Sequence, residues 1–163
     1  MPNPVKPEIN DLAFQDFHFV KMMFYPDAWK KAAHSSHTWE VADFPPIPKS
    51  VIPKKPGVYI FVVQPEIFDF IHSSGLFYVG KATNLYERIS AYISEINKDQ
   101  LASKRPLVWR MVNQWNGHLK YHYTTTKDVL EAESLEDEML KAFTPPFNKQ
   151  YPAEISARMR AFL

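Results

Sequence analysis

The sequence contains no cysteine. Disulfide bonds and thiolate metal sites are therefore excluded, and a reducing compartment is favoured. No apolar run is long enough to cross a lipid bilayer. Residues 1–10 carry prolines and a glutamate instead of an apolar signal segment, so we expect a cytoplasmic protein.

Several motifs of common enzyme classes are also missing. The G-x-x-x-x-G-K-S/T phosphate loop is absent, which excludes a P-loop NTPase, and so is the G-x-S-x-G element of serine hydrolases. The histidines lack a convincing set of further metal ligands, and we expect them to have surface or packing roles. With 163 residues, 45% of them apolar, the chain has the length and composition of one globular domain.

Charged residues are unevenly distributed, although the net charge is only +1. Residues 49–110 hold nine basic and five acidic residues, whereas residues 1–48 and 111–163 are each slightly acidic. A basic centre is compatible with phosphate binding, but the solvated face of a helix often has a similar excess. Charge alone therefore gives only weak support for nucleic acid binding.

A proline-rich connector over residues 44–56 cannot form regular helix. It divides the chain into an N-terminal extension with its connector (1–55), a main domain (56–149) and a C-terminal tail (150–163). Composition predicts a strand over 17–25 and a short helix over 27–34 within the extension.

The main domain is predicted to belong to the α/β (α+β) class. Residues rich in β-branched and aromatic side chains predict three strands, over 57–64, 76–81 and 119–126. Apolar spacing and capping residues predict helices over 65–72, 84–98, 103–115 and 128–143, with a final short helix over 155–162. The simplest arrangement is a small three-stranded, mainly antiparallel sheet with one face covered by helices.

Glu136 is hard to explain as a solvated residue. At 100° per residue, it falls between Phe143 and Leu140, in the middle of the apolar face of its helix. An unpaired buried carboxylate is costly, so Glu136 should be paired, hydrogen-bonded or bound to metal. The helical wheel alone favours an ion pair with an arginine.

Two more residues suggest a site. Arg88 lies on the shoulder of the apolar stripe of its helix, from which its guanidinium could reach a cleft and bind phosphate, or could simply extend into solvent. Gly80 interrupts a strand, which often marks the close approach of a backbone or a ligand.

Two tyrosine motifs and the residues after them resemble the GIY-YIG nuclease family. Residues 56–59 read Pro-Gly-Val-Tyr, and residues 78–85 read Tyr-Val-Gly-Lys-Ala-Thr-Asn-Leu, followed by Arg88. Residues 135–141, with the later Phe147-Asn148, resemble the final helix and terminal asparagine of the family. The resemblance covers residues 56–149 and is greatest to the N-terminal nuclease domain of excinuclease C.

The resemblance implies a metal-dependent endonuclease that hydrolyses DNA phosphodiester bonds. It implies one Mg²⁺ or Mn²⁺ held by Glu136, with phosphate charge stabilised by Arg88. Tyr59 would act as general base or orient the water, and Lys81 would favour its phenolate or help to activate water. Tyr78 would position the nucleophile or the phosphate, and Asn148 would brace the site. A tyrosine base is demanding, because a phenol with a pKa near ~10 is mostly ionised at neutral pH only if its pKa falls to about 7.

The chain departs from the family pattern in two connections, between Tyr59 and Tyr78 and between Arg88 and Glu136, which look enlarged. Such insertions could build DNA contacts or could be tolerated loops. The candidate DNA contacts are polar and basic residues in or near these segments, namely Lys54, Lys55, Asn84, Lys104, Arg105 and Arg110. We expect DNA as a partner, with a homodimer or a larger nucleoprotein complex possible, and no membrane.

Two other functions stay open. The chain could be a DNA-binding subunit of a larger complex that does not cut, or that cuts only with a partner. It could also act mainly on RNA, although nothing in the sequence is specific for a 2′-hydroxyl. A cleavage assay on several nucleic acid substrates separates these alternatives from an active DNA endonuclease.

Overall fold

The computed structural model describes residues 23–63 and 75–161. The predicted helix over 65–72 and residues 17–22 of the first predicted strand lie outside these ranges. Of that strand, only Met23–Phe24 is a strand among the described residues. No helix in the described ranges has the length and apolar character needed to cross a membrane.

The elements follow in chain order. Within residues 23–63 and 75–161, the strands are β1 (Met23–Phe24), β2 (Glu40–Asp43), β3 (Gly57–Val63), β4 (Gly75–Ala82), β5 (Leu119–Thr125) and β6 (Phe143–Thr144). The α-helices of the same ranges are α1 (Pro26–Lys31), α2 (Leu85–Ile96), α3 (Pro106–Gln114), α4 (Val129–Ala142) and α5 (Ala153–Ala161). Single 3₁₀ turns occupy Ala33–Ser36, Lys49–Val51 and Gln100–Ala102.

The main sheet has four strands in the order β2-β5-β3-β4, all antiparallel to their neighbours. The three predicted strands form its β5-β3-β4 part, which confirms the mixed class with an antiparallel sheet. The fourth strand, β2, was missed. It has only four residues and three of them are exposed, so no alternation of buried and exposed side chains marks it in the sequence.

Helices cover both faces of this sheet, and the expectation that they cover only one face was wrong. Side chains alternate along β3. Tyr59 and Phe61 join a core beneath α2 and α3, whereas Val58 and Ile60 join a second core beneath α4. The sheet is therefore the middle of three layers.

Local signals explain where two of the helices begin. The side chain of Asn84 accepts a hydrogen bond from the backbone N–H of Glu87 at the start of α2, and Asp128 accepts one from Glu131 at the start of α4. α3 begins at Pro106, later than predicted, because proline is favoured at the first helical position.

The N-terminal extension packs against the main domain. Its Trp29 and Ala33 contact the core beneath α4. The backbone N–H of Ala33 donates to Oε2 of Glu138 on the outer side of α4, at 2.8 Å. β1 pairs with β6, which directly follows α4. These contacts hold the extension against α4.

Candidate active site

The candidate site lies at the open edge of β4, the outermost strand on its side of the sheet. Asn148 closes part of this edge. Its Oδ1 accepts from the backbone N–H of Val79 at 2.9 Å, and its Nδ2 donates to the carbonyl of Val79 at 2.7 Å. The backbone N–H of Phe147 also donates to the carbonyl of Phe77, at 3.1 Å. The segment after β6 is thereby held beside β4, the strand of the second tyrosine motif.

A cleft of about 880 Å³ opens at this edge. Its walls are the first turn of α3, the middle of α4 and residues 147–152. Four of the six residues predicted to form the site line it, namely Tyr78, Lys81, Glu136 and Asn148. Because β4 is an edge strand, residues from both faces of the sheet meet here.

Glu136 lies at the border of the apolar face of α4, and its predicted position in the middle of that face was wrong. The buried residues of the helix centre on Leu135 and Met139, whereas Val129 is 37% exposed. The side chain of Glu136 retains 19% exposure. Desolvation raises the pKa of Glu136, and the nearby Lys81 offsets this only in part. The carboxylate is therefore short of positive charge.

Lys81 contacts carboxylates and not tyrosines. Its Nζ lies 3.2 Å from Oε1 of Glu133 and 3.5 Å from Oε2 of Glu136. Partial desolvation acts to lower the pKa of Lys81, but the hydrogen bonds and charges of these two glutamates outweigh it and raise the pKa. Its neighbour Gly80 faces the Tyr59 ring, so Lys81 points to the opposite face of the sheet. The expectation that Lys81 stabilises a Tyr59 phenolate is therefore wrong.

Tyr59 is enclosed beneath α2, with 1% of its surface exposed. Its hydroxyl lies 2.8 Å from the hydroxyl of Tyr92, and its ring is stacked with that of Tyr78. Burial raises the pKa of Tyr59 well above its ordinary value of 10.0. This direction is opposite to the one that a phenolate base needs, so the structure does not support Tyr59 as the base.

Gly80 is explained by the same packing. A Cβ atom at this position would lie 2.5 Å from the hydroxyl oxygen of Tyr59 and 2.8 Å from Cε1 of Tyr78. The close approach expected at this glycine is therefore made by two tyrosine rings of the protein, and the glycine allows the rings to pack together.

Arg88 is exposed and is not among the residues that line the cleft. Its charge acts to lower the pKa values of Tyr59 and Tyr121, so it lies within electrostatic reach of these two phenols. Within the described part of the chain, Arg88 makes no ion pair with an acidic residue. The structure therefore does not bring this residue into the cleft, contrary to expectation.

The predicted DNA contacts divide into two groups. Lys104 and Arg105 line the cleft, whereas the other four candidates lie elsewhere. Asn84 caps α2, and the ammonium of Lys54 lies 5.1 Å from the ring centroid of Tyr86. Lys55 and Arg110 are exposed outside the cleft lining.

Two residues that contact the predicted site residues were missed. Glu133 pairs with Lys81 and could have been found, because it lies one helical turn before Glu136 on the same side of α4. Tyr92 was identified only as an apolar residue of α2. Its hydrogen bond with Tyr59 depends on how the helix packs on the sheet, which the sequence does not reveal.

Residues 55–149 match the model of the UvrC-like GIY-YIG domain. The chain belongs to this family. Membership places it in a nuclease family, and the matched range agrees closely with the range of the resemblance seen in the sequence. The whole cleft lining except Gln150 to Pro152 falls within it.

Among curated proteins, the chain is similar to the UvrABC system protein C of two prokaryotes. It is 32% identical over 99 residues to that of Methanococcus maripaludis, covering 61% of this chain and 16% of the relative. It is 38% identical over 100 residues to that of Corynebacterium jeikeium, covering 61% of this chain and 12% of the relative. The chain thus matches only a small part of the length of these relatives.

A solved structure of the N-terminal GIY-YIG endonuclease domain of UvrC from Thermotoga maritima also resembles the chain. The structure is of a point mutant bound to its catalytic divalent cation. It is 22% identical, covers 61% of this chain and 90% of the solved domain, and has a TM-score of 0.43. A second point mutant of the same domain gives a TM-score of 0.44 over 63% of this chain and 91% of that one.

Proposed function

We propose that this protein is a divalent-metal-dependent endonuclease that hydrolyses DNA phosphodiester bonds at the β4-edge cleft. The observation that supports this most strongly is the convergence of Tyr78, Lys81, Glu136 and Asn148 on one cleft. The four residues come from three separate parts of the sequence, and packing of an ordinary core does not require them to meet. Family membership supplies the class of reaction, and the cleft supplies the residues to carry it out.

The donor set fits Mg²⁺ or Mn²⁺ bound mainly through water. Glu136 offers a half-buried carboxylate that lacks sufficient positive charge around it. Among residues 23–63 and 75–161, no group of three or more acids and histidines could hold an ion together. A hard ion that keeps several water ligands needs only one or two protein carboxylates. Glu136 would therefore hold the ion, and the ion when bound would neutralise charge on the phosphate and lower the pKa of its water.

The remaining residues have separate tasks in this proposal. Tyr78 lies at the cleft, and its phenol would orient the attacking water or the phosphate. The ammonium of Lys81 would counter the negative charge that develops on the phosphate. Asn148 would keep β4 and the following segment in place through its paired hydrogen bonds to Val79. Tyr59 would support the Tyr78 ring from the core.

Arg88 has the weakest structural support among the proposed residues. We propose that it binds phosphate only if the substrate extends past the tyrosine core. An Arg88→Gln variant distinguishes a role at the reacting phosphate, which lowers kcat, from a contact further along the strand, which mainly raises KM.

The proposal is tested with single-stranded, duplex and branched DNA, incubated with the protein and Mg²⁺ or with EDTA. Mg²⁺-dependent cleavage of at least one substrate is expected, together with loss of cleavage in Glu136→Ala. Glu154→Ala, which changes an exposed acid outside the cleft lining, is the matched control and should cut normally.

Three results would count against the proposal or change it. Retained cutting by pure Glu136→Ala would refute the assignment of the site. Binding without cleavage of any DNA substrate would favour a subunit that does not cut alone, and preferential cleavage of RNA would change the proposed substrate.

A further inference from the structure

The turn between α2 and α3 forms a positively charged wall of the cleft. Lys104 and Arg105 lie at its end, and both line the same cleft as Glu133 and Glu136 of α4. Within the described residues, neither cation forms an ion pair with an acid. Arg105 is half-buried, whereas Lys104 is exposed. A half-buried arginine with no carboxylate partner has N–H donors available for a ligand.

Arg105 is held in place from two directions. Its guanidinium carbon lies 4.7 Å from the ring centroid of Tyr92, in a cation–π contact. Its backbone N–H donates to Oγ of Ser103 at 3.1 Å, and the Ser103 hydroxyl donates to Oε2 of Glu95 at 2.7 Å. The side chain and the backbone of Arg105 are therefore both fixed by residues of the same domain.

Glu95 anchors this turn. Its side chain is only 3% exposed, and its Oε1 accepts a hydrogen bond from Nζ of Lys98 at 2.6 Å. The backbone carbonyl of Glu95 accepts from Nδ2 of Asn113 on α3 at 3.2 Å. A carboxylate this deeply buried is costly unless it is paired and hydrogen-bonded, and the partners of Glu95 all belong to the turn or to the helices that flank it.

We infer that Arg105 binds a backbone phosphate of the substrate strand beside the one being cleaved, and that Glu95 is a positioning residue that holds Arg105 toward the cleft. The inference rests on the proposed function, because it takes DNA as the ligand. The planar guanidinium matches the oxygens of a phosphate. Fixing the arginine before binding reduces the conformational entropy that is lost when the strand binds.

Glu95 itself does not touch the substrate. It is buried beneath the turn, and it acts on Arg105 through Ser103 and through the attraction between the two opposite charges. Removing the carboxylate should therefore matter for DNA binding only while Arg105 is present. That dependence separates a positioning role from a general effect on folding.

The test measures the affinity of a fluorescently labelled DNA duplex at several salt concentrations, with Ca²⁺ replacing Mg²⁺. Arg105→Gln should weaken binding about tenfold and reduce the slope of log affinity against log salt by about one. Arg105→Lys should keep the slope, because the charge remains, while still losing affinity. Arg160→Gln, which changes an exposed arginine on α5 outside the cleft lining, is the matched control and should change affinity less.

The role of Glu95 is tested by combining variants. Glu95→Gln should weaken binding severalfold in the wild-type background and have little further effect in Arg105→Gln. If Glu95→Gln fails to fold, Ser103→Ala serves in its place, because it removes only the hydroxyl between Glu95 and Arg105.

An unchanged salt slope in Arg105→Gln, fully additive effects of the two substitutions, or absence of salt-dependent DNA binding by the wild type would overturn the inference. The assay requires no cleavage. If the separate cleavage assay detects no cutting of any DNA but the salt dependence of binding is as predicted, the proposed function is refuted and the role of Arg105 stands.

Discussion

The side chain of Asn148 makes a pair of hydrogen bonds with the backbone of Val79, one as donor at 2.7 Å and one as acceptor at 2.9 Å. Val79 lies between Tyr78 and Lys81 on an edge strand, where its backbone groups would otherwise lack a strand partner. Asn148, which lines the cleft, thus takes the place of a neighbouring strand beside Val79.

Replacing Asn148 with alanine should therefore reduce stability as well as activity. Loss of both hydrogen bonds should lower the free energy of unfolding by about 1–3 kcal/mol, measured by urea denaturation. Gln150→Ala, at an exposed position two residues later, should have little effect. Equal stability of Asn148→Ala and the wild type would show that the pairing with Val79 contributes nothing.

Gly80→Ala should be strongly destabilising. The new Cβ would meet the hydroxyl of Tyr59 at 2.5 Å, and the rigid, enclosed ring has little room to move. We expect a loss of about 1–3 kcal/mol in the free energy of unfolding. Gly75→Ala on the same strand is a matched control, because its nearest contact would be a Phe77 ring atom at 3.3 Å. Similar losses for both variants would contradict the packing explanation.

Tyr59→Phe and Tyr78→Phe should show that the hydroxyl groups of the two tyrosine motifs have different roles. Loss of the Tyr59 hydroxyl removes its hydrogen bond with Tyr92 and should cost about 0.5–1.5 kcal/mol of stability, with kcat nearly unchanged. Loss of the Tyr78 hydroxyl should lower kcat by about 10²-fold or more. Single-turnover cleavage rates and unfolding curves measure the two effects. A comparable fall in kcat for folded Tyr59→Phe would restore a direct role for that hydroxyl.

Stability should depend on pH through Glu95. Burial acts to raise the pKa of Glu95, but hydrogen bonds from Lys98 and Ser103 outweigh it and hold the pKa below its ordinary value of 4.5. The ionised group therefore stabilises the folded state above about pH 4.5, and this contribution is lost as the pH falls through the lowered folded-state pKa.

The matching variant is Glu95→Gln. Its deficit in the free energy of unfolding should be constant between about pH 5 and 7 and should shrink at lower pH. Glu87→Gln, at an exposed position on α2, controls for loss of an acidic residue. A deficit for Glu95→Gln that does not change down to about pH 3 would contradict the account.

The strands and helices of the main domain that the structure describes could be predicted because their signals are local. Asn84 and Asp128 cap the helices that they were expected to begin, and β3 has the composition of a buried strand. β2 could not be predicted. It becomes a strand because it pairs with β5, and that contact is far away in the sequence.

The residues of the candidate site could be predicted from local sequence motifs, but the directions of their side chains could not. The tyrosine motifs, Lys81, Glu136 and Asn148 were recognisable by family resemblance and spacing. The direction in which each side chain points depends on packing. Tyr59 was expected to be an accessible base, but α2 covers it and Tyr92 contacts its hydroxyl. Likewise, Lys81 faces α4 and pairs with Glu133 because of the way in which α4 packs on the sheet.

The most direct test of the central claim is a Mn²⁺ titration followed by electron paramagnetic resonance, because free and bound Mn²⁺ give different signals. Wild-type protein should bind one Mn²⁺ per chain, and Glu136→Gln should lose that binding while its unfolding curve stays close to that of the wild type. Equal Mn²⁺ binding by both proteins would contradict the claim that Glu136 holds the metal ion.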